Sequence, residues 1–274
     1  MSPGTRHDGS KRRRWPWFVG GLVVVLGVGG LVGWLTTSHA RQVTLHQAEA
    51  RQGAASHGSP ADGRPAPGVY AYAGTGTERL SLPPLSQAEG PIIPGTVTLD
   101  GARCWTLRLD YSTHHWQTWH YCLHGTDLWE TGGQTWQLWP VGPLNFTNTT
   151  TFVCAAGTMA VPAQASPGQT WTSRCTGTNT SVTGTTVSSG PYRLVGTTML
   201  SVGGTQVRVV HFHRVRTDSG AQTGTETADE WFEPGTGLPV RLAQNLRITT
   251  STAFGVSTYT QVGTMTLRSL TPEG

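Results

Sequence analysis

Lysine is almost missing: Lys11 stands alone against eighteen arginines. Charged side chains make up 12% of the 274 residues and hydrophobic ones 36%, both low for a globular chain. No CxxC is present and the cysteine spacings match no common zinc pattern, so a zinc ribbon is not expected. A GxSxG elbow and working GxGxxG or GxxxxGK loops are also missing, which removes the usual hydrolase and nucleotide-binding signatures. No clear internal repeat is found, and no basic stripe tracks a phosphate backbone, so nucleic acid is not an expected partner. Nor does any long segment beyond residue 68 sustain a helical period.

What is present divides sharply along the chain. Five of the nineteen basic residues (Arg6, Lys11, Arg12, Arg13, Arg14) precede a nineteen-residue uncharged run, Trp17 to Leu35, with Asp8 the one acid among them. That leaves fourteen residues of each sign from Arg41 onward, so the net charge of +4 reflects the tail. As a helix the run would span about 28 Å, close to the bilayer's hydrocarbon thickness. Trp15, Trp17 and Trp34 sit at its ends like interfacial aromatics, and the basic cluster predicts a cytoplasmic N-terminus. The expected organisation is a cytoplasmic tail (1–16), a transmembrane helix (17–35), a juxtamembrane segment and Gly/Pro/Ser linker (36–68), and an extracytoplasmic β domain (69–274). The lipid bilayer is thus an expected partner. Ser38-His39-Ala40 offers an alternative in which a signal peptide is cleaved.

Within 69–274, thirty-six glycines over the chain and many threonines punctuate short β-prone runs. About twelve antiparallel strands are expected, forming a curved sheet, half-barrel or sandwich. Four cysteines in an exported domain suggest two disulfides, and Cys104–Cys122 with Cys154–Cys175 is the pairing expected among three. If Cys104 and Cys122 are cross-strand neighbours, Trp105, Leu107 and Leu109 share a face with Trp119 and Tyr121. Arg108 and Asp110 then lie opposite, with Thr118 and His120. Between Trp231 and Leu242, Pro234 and two glycines predict a hairpin turn, with Gly237 the candidate for positive φ.

Candidate chemistry is thin. His114, His115, His120 and His124 lie on strand-like sequence, where four residues span about 13 Å. His211 and His213 share a strand face, but no third ligand follows in sequence. Asp229, Glu230 and Glu233 flank Trp231, a pattern compatible with a glycan site. Six of eleven tryptophans fall between Trp105 and Trp139. An aromatic-lined groove holding an apolar ligand is therefore read on Trp105, Trp119, Tyr121 and Trp231. No residue set calls for a catalytic centre, cofactor or metal.

The stretch WFEPGTGLPVRL, Trp231 to Leu242, resembles a hairpin of half-barrel envelope lipoprotein carriers, where an acidic-Pro-x-x-Gly-Leu-Pro turn joins an aromatic strand to its return. The Cys104…Cys122 segment, with Pro167-Gly168-Gln169-Thr170-Trp171…Cys175, is similar to uncharacterised actinobacterial single-pass membrane proteins with a disulfide-containing β ectodomain. The resemblance implies a membrane-anchored binding or interaction module of the cell envelope, holding an apolar ligand or lipid in a curved sheet or meeting an envelope protein. The alternatives are a glycan-active or metal-dependent hydrolase and a structural assembly partner of another membrane protein.

Overall fold

The computed structural model describes residues 40–53, 63–156, 158–252 and 255–273. The expected tail, transmembrane run, cleavage motif and most of the linker lie outside them. One short helix, α1 (Leu45–Gln52), precedes fourteen strands. These are β1 (Gly68–Ser81), β2 (Pro84–Glu89), β3 (Ile92–Asp100), β4 (Cys104–Ser112), β5 (His115–His124), β6 (Asp127–Val141) and β7 (Leu144–Cys154). They continue with β8 (Met159–Val161), β9 (Thr170–Asn179), β10 (Val182–Val202), β11 (Thr205–Gly220), β12 (Thr223–Phe232), β13 (Pro239–Thr252) and β14 (Gly255–Leu267). The chain separates into two units, one of them His39–Trp139 with Phe146–Gly274. The other, Met1–Ser38 with Pro140–Asn145, is described only at 140–145, a turn with Gly142 at φ +58° and its flanking strand ends.

The sheet runs β14-β13-β12-β11-β10-β9-β7-β6-β5-β4-β3-β1, and β14 returns to pair with β1 from Tyr72↔Leu267 to Leu80↔Tyr259. Twelve described strands thus form a closed antiparallel barrel. β2 extends the wall beside the second half of β1, and β8 adds to β6. The expectation of an open curved sheet, half-barrel or sandwich is corrected. The strand number was legible, but the closing pair joins the first and last strands, and no local pattern announces it. Closure removes both sheet edges. The expected transmembrane helix has no counterpart among the described residues, where no helix is long and apolar enough to cross a membrane.

Pairing of β4 with β5 follows the expected register, Cys104↔Cys122 through Asp110↔Trp116, and both disulfides join the expected partners. On two neighbouring strands the outer face is polar: β12 turns Thr225, Thr227 and Asp229 outward, and β13 turns Arg241, Asn245 and Arg247. Helix α1 opens with a capping box at Thr44 and Gln47 and buries Ala48. Arg51, in its last turn, forms a two-pronged ion pair with Asp110 of β4 (3.1 and 2.7 Å).

Candidate binding site in the barrel lumen

Because side chains alternate across a strand, each register row puts one residue per strand into the lumen. At one end Tyr72 meets Leu267. The next row is Gly74, Met265, Leu242, Glu230, Phe212 and Leu194. Then come Gly76, Gly263, Gln244, Ala228, Arg214 and Tyr192. A fourth row holds Glu78, Gln261, Leu246, Glu226 and Arg216. A fifth carries Gly224, Asp218, Ser188 and the Cys175–Cys154 bridge. The lumen therefore changes from aromatic and aliphatic to ionic within a few residues of strand.

The apolar end is packed. Trp105 packs tilted against Tyr121 at 4.6 Å between ring centres, Tyr121 meets Phe232 edge-on, and Phe232 meets Phe212. The space left beside Leu107, Trp119 and Phe232 is about 20 Å³, room for no more than about one water. The concave apolar groove expected from the sequence is therefore replaced by a filled core. Of the four aromatic residues assigned to it, Trp105, Trp119 and Tyr121 come together inside. Trp231 lies on the outer wall, stacked on His211 at 4.3 Å with Arg241 above it.

The ionic end is partly empty. A cavity of about 140 Å³ lies among Trp119, Glu130, Thr135, Asn148, Thr186, Asp218, Glu226 and Gln244. Two guanidiniums hold three carboxylates at its inner end. Arg214 pairs with Glu226 and with Glu230 (2.9 Å) and donates to the Tyr192 hydroxyl (2.9 Å), which in turn donates to Glu230 (2.8 Å). Arg216 pairs with Glu130 at 2.7 Å. Burial pushes the Glu230 carboxyl up, and Arg214 offsets this only in part. At Glu226 burial also acts upward, but Arg214 and Arg216 outweigh it and the net shift is downward. Asp218 is raised by burial, with Ser188 pulling it back. Asp218 Oδ1 and Asn148 Oδ1 have no hydrogen-bond partner.

A second buried group adjoins these rows. His115 Nδ1 is 2.6 Å from Glu78 Oε1, and Gln261 donates to Glu89 at 2.8 Å. Burial pushes the Glu89 carboxyl up to about 7. Gly76 and Gly263, facing each other across β1 and β14, make room for that side chain. A Cβ at Gly76 would come 2.0 Å from Glu89 Oε2, and one at Gly263 2.7 Å from it.

The remaining sequence candidates disperse. His115 is inside, His120 is hydrogen-bonded to Thr106, and His124 stacks on Trp129. His211 and His213 share an outward face and both approach Asp229 Oδ1, at 2.8 and 3.2 Å. Glu230 points into the lumen, away from Asp229, and Glu233 caps its own turn by accepting from Gly235 N and Thr236 N. The acids around Trp231 thus form no joint site. Glu130 also lies near Cys154 and Cys175, but a disulfide offers no thiolate to a metal. The sequence reading missed Arg214, Arg216, Glu226 and Asp218. The spacing of two between Arg214, Arg216 and Asp218 along β11, with Glu226 opposite on β12, was visible, yet nothing local said which face would be enclosed.

Neither a family model nor a curated protein sequence matches the chain. Among solved structures, the hypothetical lipoprotein YmcC from Escherichia coli (K12) is similar over 81% of this chain and 97% of its own. Identity is 11% and the TM-score 0.34, too loose to carry an argument.

At the mouth beyond the packed end lies a cleft of about 480 Å³. Leu123, Leu128, Leu194 and Val210 line it, together with Val161, Pro162, Pro167 and Pro234.

Proposed function

We propose that this chain is a non-enzymatic binding module of the cell envelope whose ligand, a small polar molecule, sits in the ionic half of the barrel lumen. In this reading the apolar run of residues 17–35 tethers it to the cytoplasmic membrane, with the basic tail inside and the barrel outside. The observation that carries the ligand site is the unfilled cavity of about 140 Å³ beside a buried ion cluster. Burying ions costs several kcal/mol each before pairing, and packing the whole lumen with apolar side chains would avoid that cost. A cavity with convergent polar groups and displaced carboxyl pKa values is where binding is expected.

Titration calorimetry on the full chain in detergent, with ethanolamine, acetate and glycerol as probes, tests the site. Binding by at least one probe is expected. Thr135→Phe, which fills the cavity from β6, should abolish it without lowering thermal stability. No binding by any probe, or binding indifferent to Thr135→Phe, would overturn the reading. The topology is tested by a reporter fused after Gly274, which should be active outside the cytoplasm; cytoplasmic activity refutes it.

The cleft of about 480 Å³ favours a second reading, since it falls within the size range of small-molecule sites and sets Leu123, Leu128, Leu194 and Val210 beside the polar Thr126, Thr197 and Arg208. An apolar ligand would then bind at the mouth rather than in a curved sheet. Leu194→Arg should abolish uptake of a naphthalene-sulfonate dye there and leave polar probes unaffected.

A further inference from the structure

The charges of the lumen do not balance. Six acids face the lumen, and of these Glu130, Asp218 and Glu226 line the cavity with two guanidiniums, Arg214 and Arg216; Glu230 lies on Arg214, His115 lies beside Glu78, and Glu89 holds its proton up to about 7. Both guanidiniums are paired with carboxylates: Arg214 with Glu226 and Glu230, and with the Tyr192 hydroxyl, its Nε alone lacking a protein partner, and Arg216 with Glu130 and Ser173. Asp218 is left over. Its residue is 8% exposed, it lines the cavity, and although Ser188 hydrogen-bonds the carboxyl, its Oδ1 accepts nothing from the protein. Asn148 adds a second acceptor without a donor, Oδ1, on the same cavity. An enclosed site with spare acceptors and surplus negative charge is complementary to a donor that carries positive charge.

We propose that the lumen site is selective for a small organic cation, a primary amine or ammonium, with its nitrogen on Asp218 and Asn148. The proposal rests on the lumen being the binding site. The cavity sets the size. About 140 Å³ is close to engineered cavities that accept a six-carbon ring, so a ligand of roughly six to eight heavy atoms fits. The gap that Asp218 leaves is compatible with one ammonium. An anion would meet Glu130, Asp218 and Glu226 on the cavity wall, where both guanidiniums are already paired with carboxylates.

The test compares ethanolamine and putrescine with acetate and glycerol on the full chain in detergent, at matched ionic strength. The amines are expected to bind at least tenfold more tightly than acetate. Asp218→Asn, which keeps shape and removes charge, should weaken the amines at least tenfold, and Asn148→Asp should tighten them. Amine binding that Thr135→Phe blocks but Asp218→Asn and Asn148→Asp leave unchanged would overturn the assignment. Acetate or glycerol binding that Thr135→Phe blocks, with amines silent, would also overturn the cation and leave the site standing. Silence from every probe would remove the site itself. Should Asp218→Asn fail to fold, Asn148→Asp decides: equal or weaker amine affinity contradicts the proposal.

Discussion

Single residues show how far chemistry alone reached. Gly237 was expected to have positive φ from its place after Pro234, and it does, at φ +71°. What the sequence could not show is its neighbour: a Cβ there would lie 2.6 Å from Leu128 Cδ2 of β6. Gly237→Ala should therefore destabilise by about 1–3 kcal/mol in chemical denaturation, combining backbone strain with a packing clash. Glu89 makes a different prediction. Its carboxyl sits at about 7 when folded, against an ordinary value of 4.5. The folded state then holds the proton more tightly than the unfolded chain, so stability falls as pH rises between those values and levels off above. The groups facing it are Glu78, His115 and Gln261. A loss of up to about 3 kcal/mol between pH 4.5 and 7 is expected. Glu89→Gln should flatten that slope; an unchanged slope would show that another group titrates there.

Elements were legible where both strand faces had a clear partner. The β4–β5 hairpin was readable down to register because alternating apolar residues and the two cysteines agreed. In β10, Ser188-Ser189-Gly190-Pro191 has the composition of a turn, yet it runs straight through the strand. Gly190 is required there, since its Cβ would come 2.0 Å from the Val215 carbonyl oxygen on β11. β2 was missed behind Pro83 and Pro84, and its value to the fold is the Glu89 side chain it delivers inward. The two disulfides also differ in a way the sequence did not show. Cys104–Cys122 faces outward with the row of Thr106 and Arg108, while Cys154–Cys175 shares a lumen row with Asp218. Replacing either pair by serines should cost roughly 3 kcal/mol, measured by denaturation. Only loss of Cys154–Cys175 should also shift affinity for lumen probes, and equal effects from both pairs would argue against its place in the site.

At the scale of the whole molecule, closure makes the site. Twelve strands enclose more width than the eight whose interior side chains fill it. One half of the lumen is filled by Trp105, Tyr121, Phe212 and Phe232, and the other keeps a cavity ringed by ions. The alternation that marks a strand reads the same whether its inner face meets a second sheet or a lumen. The all-β character and the strand number therefore came through from the sequence, while the closed architecture and the ionic site did not. Indole ¹H–¹⁵N spectra of the full chain test the central claim most directly, because Trp119 lines the cavity and Trp231 sits on the outer wall. Titration with ethanolamine should move the Trp119 signal with saturation and leave Trp231 in place. A saturable shift at Trp231 with Trp119 fixed, or no shift at either with any of the amine, acetate and glycerol probes, would contradict a ligand site inside the barrel.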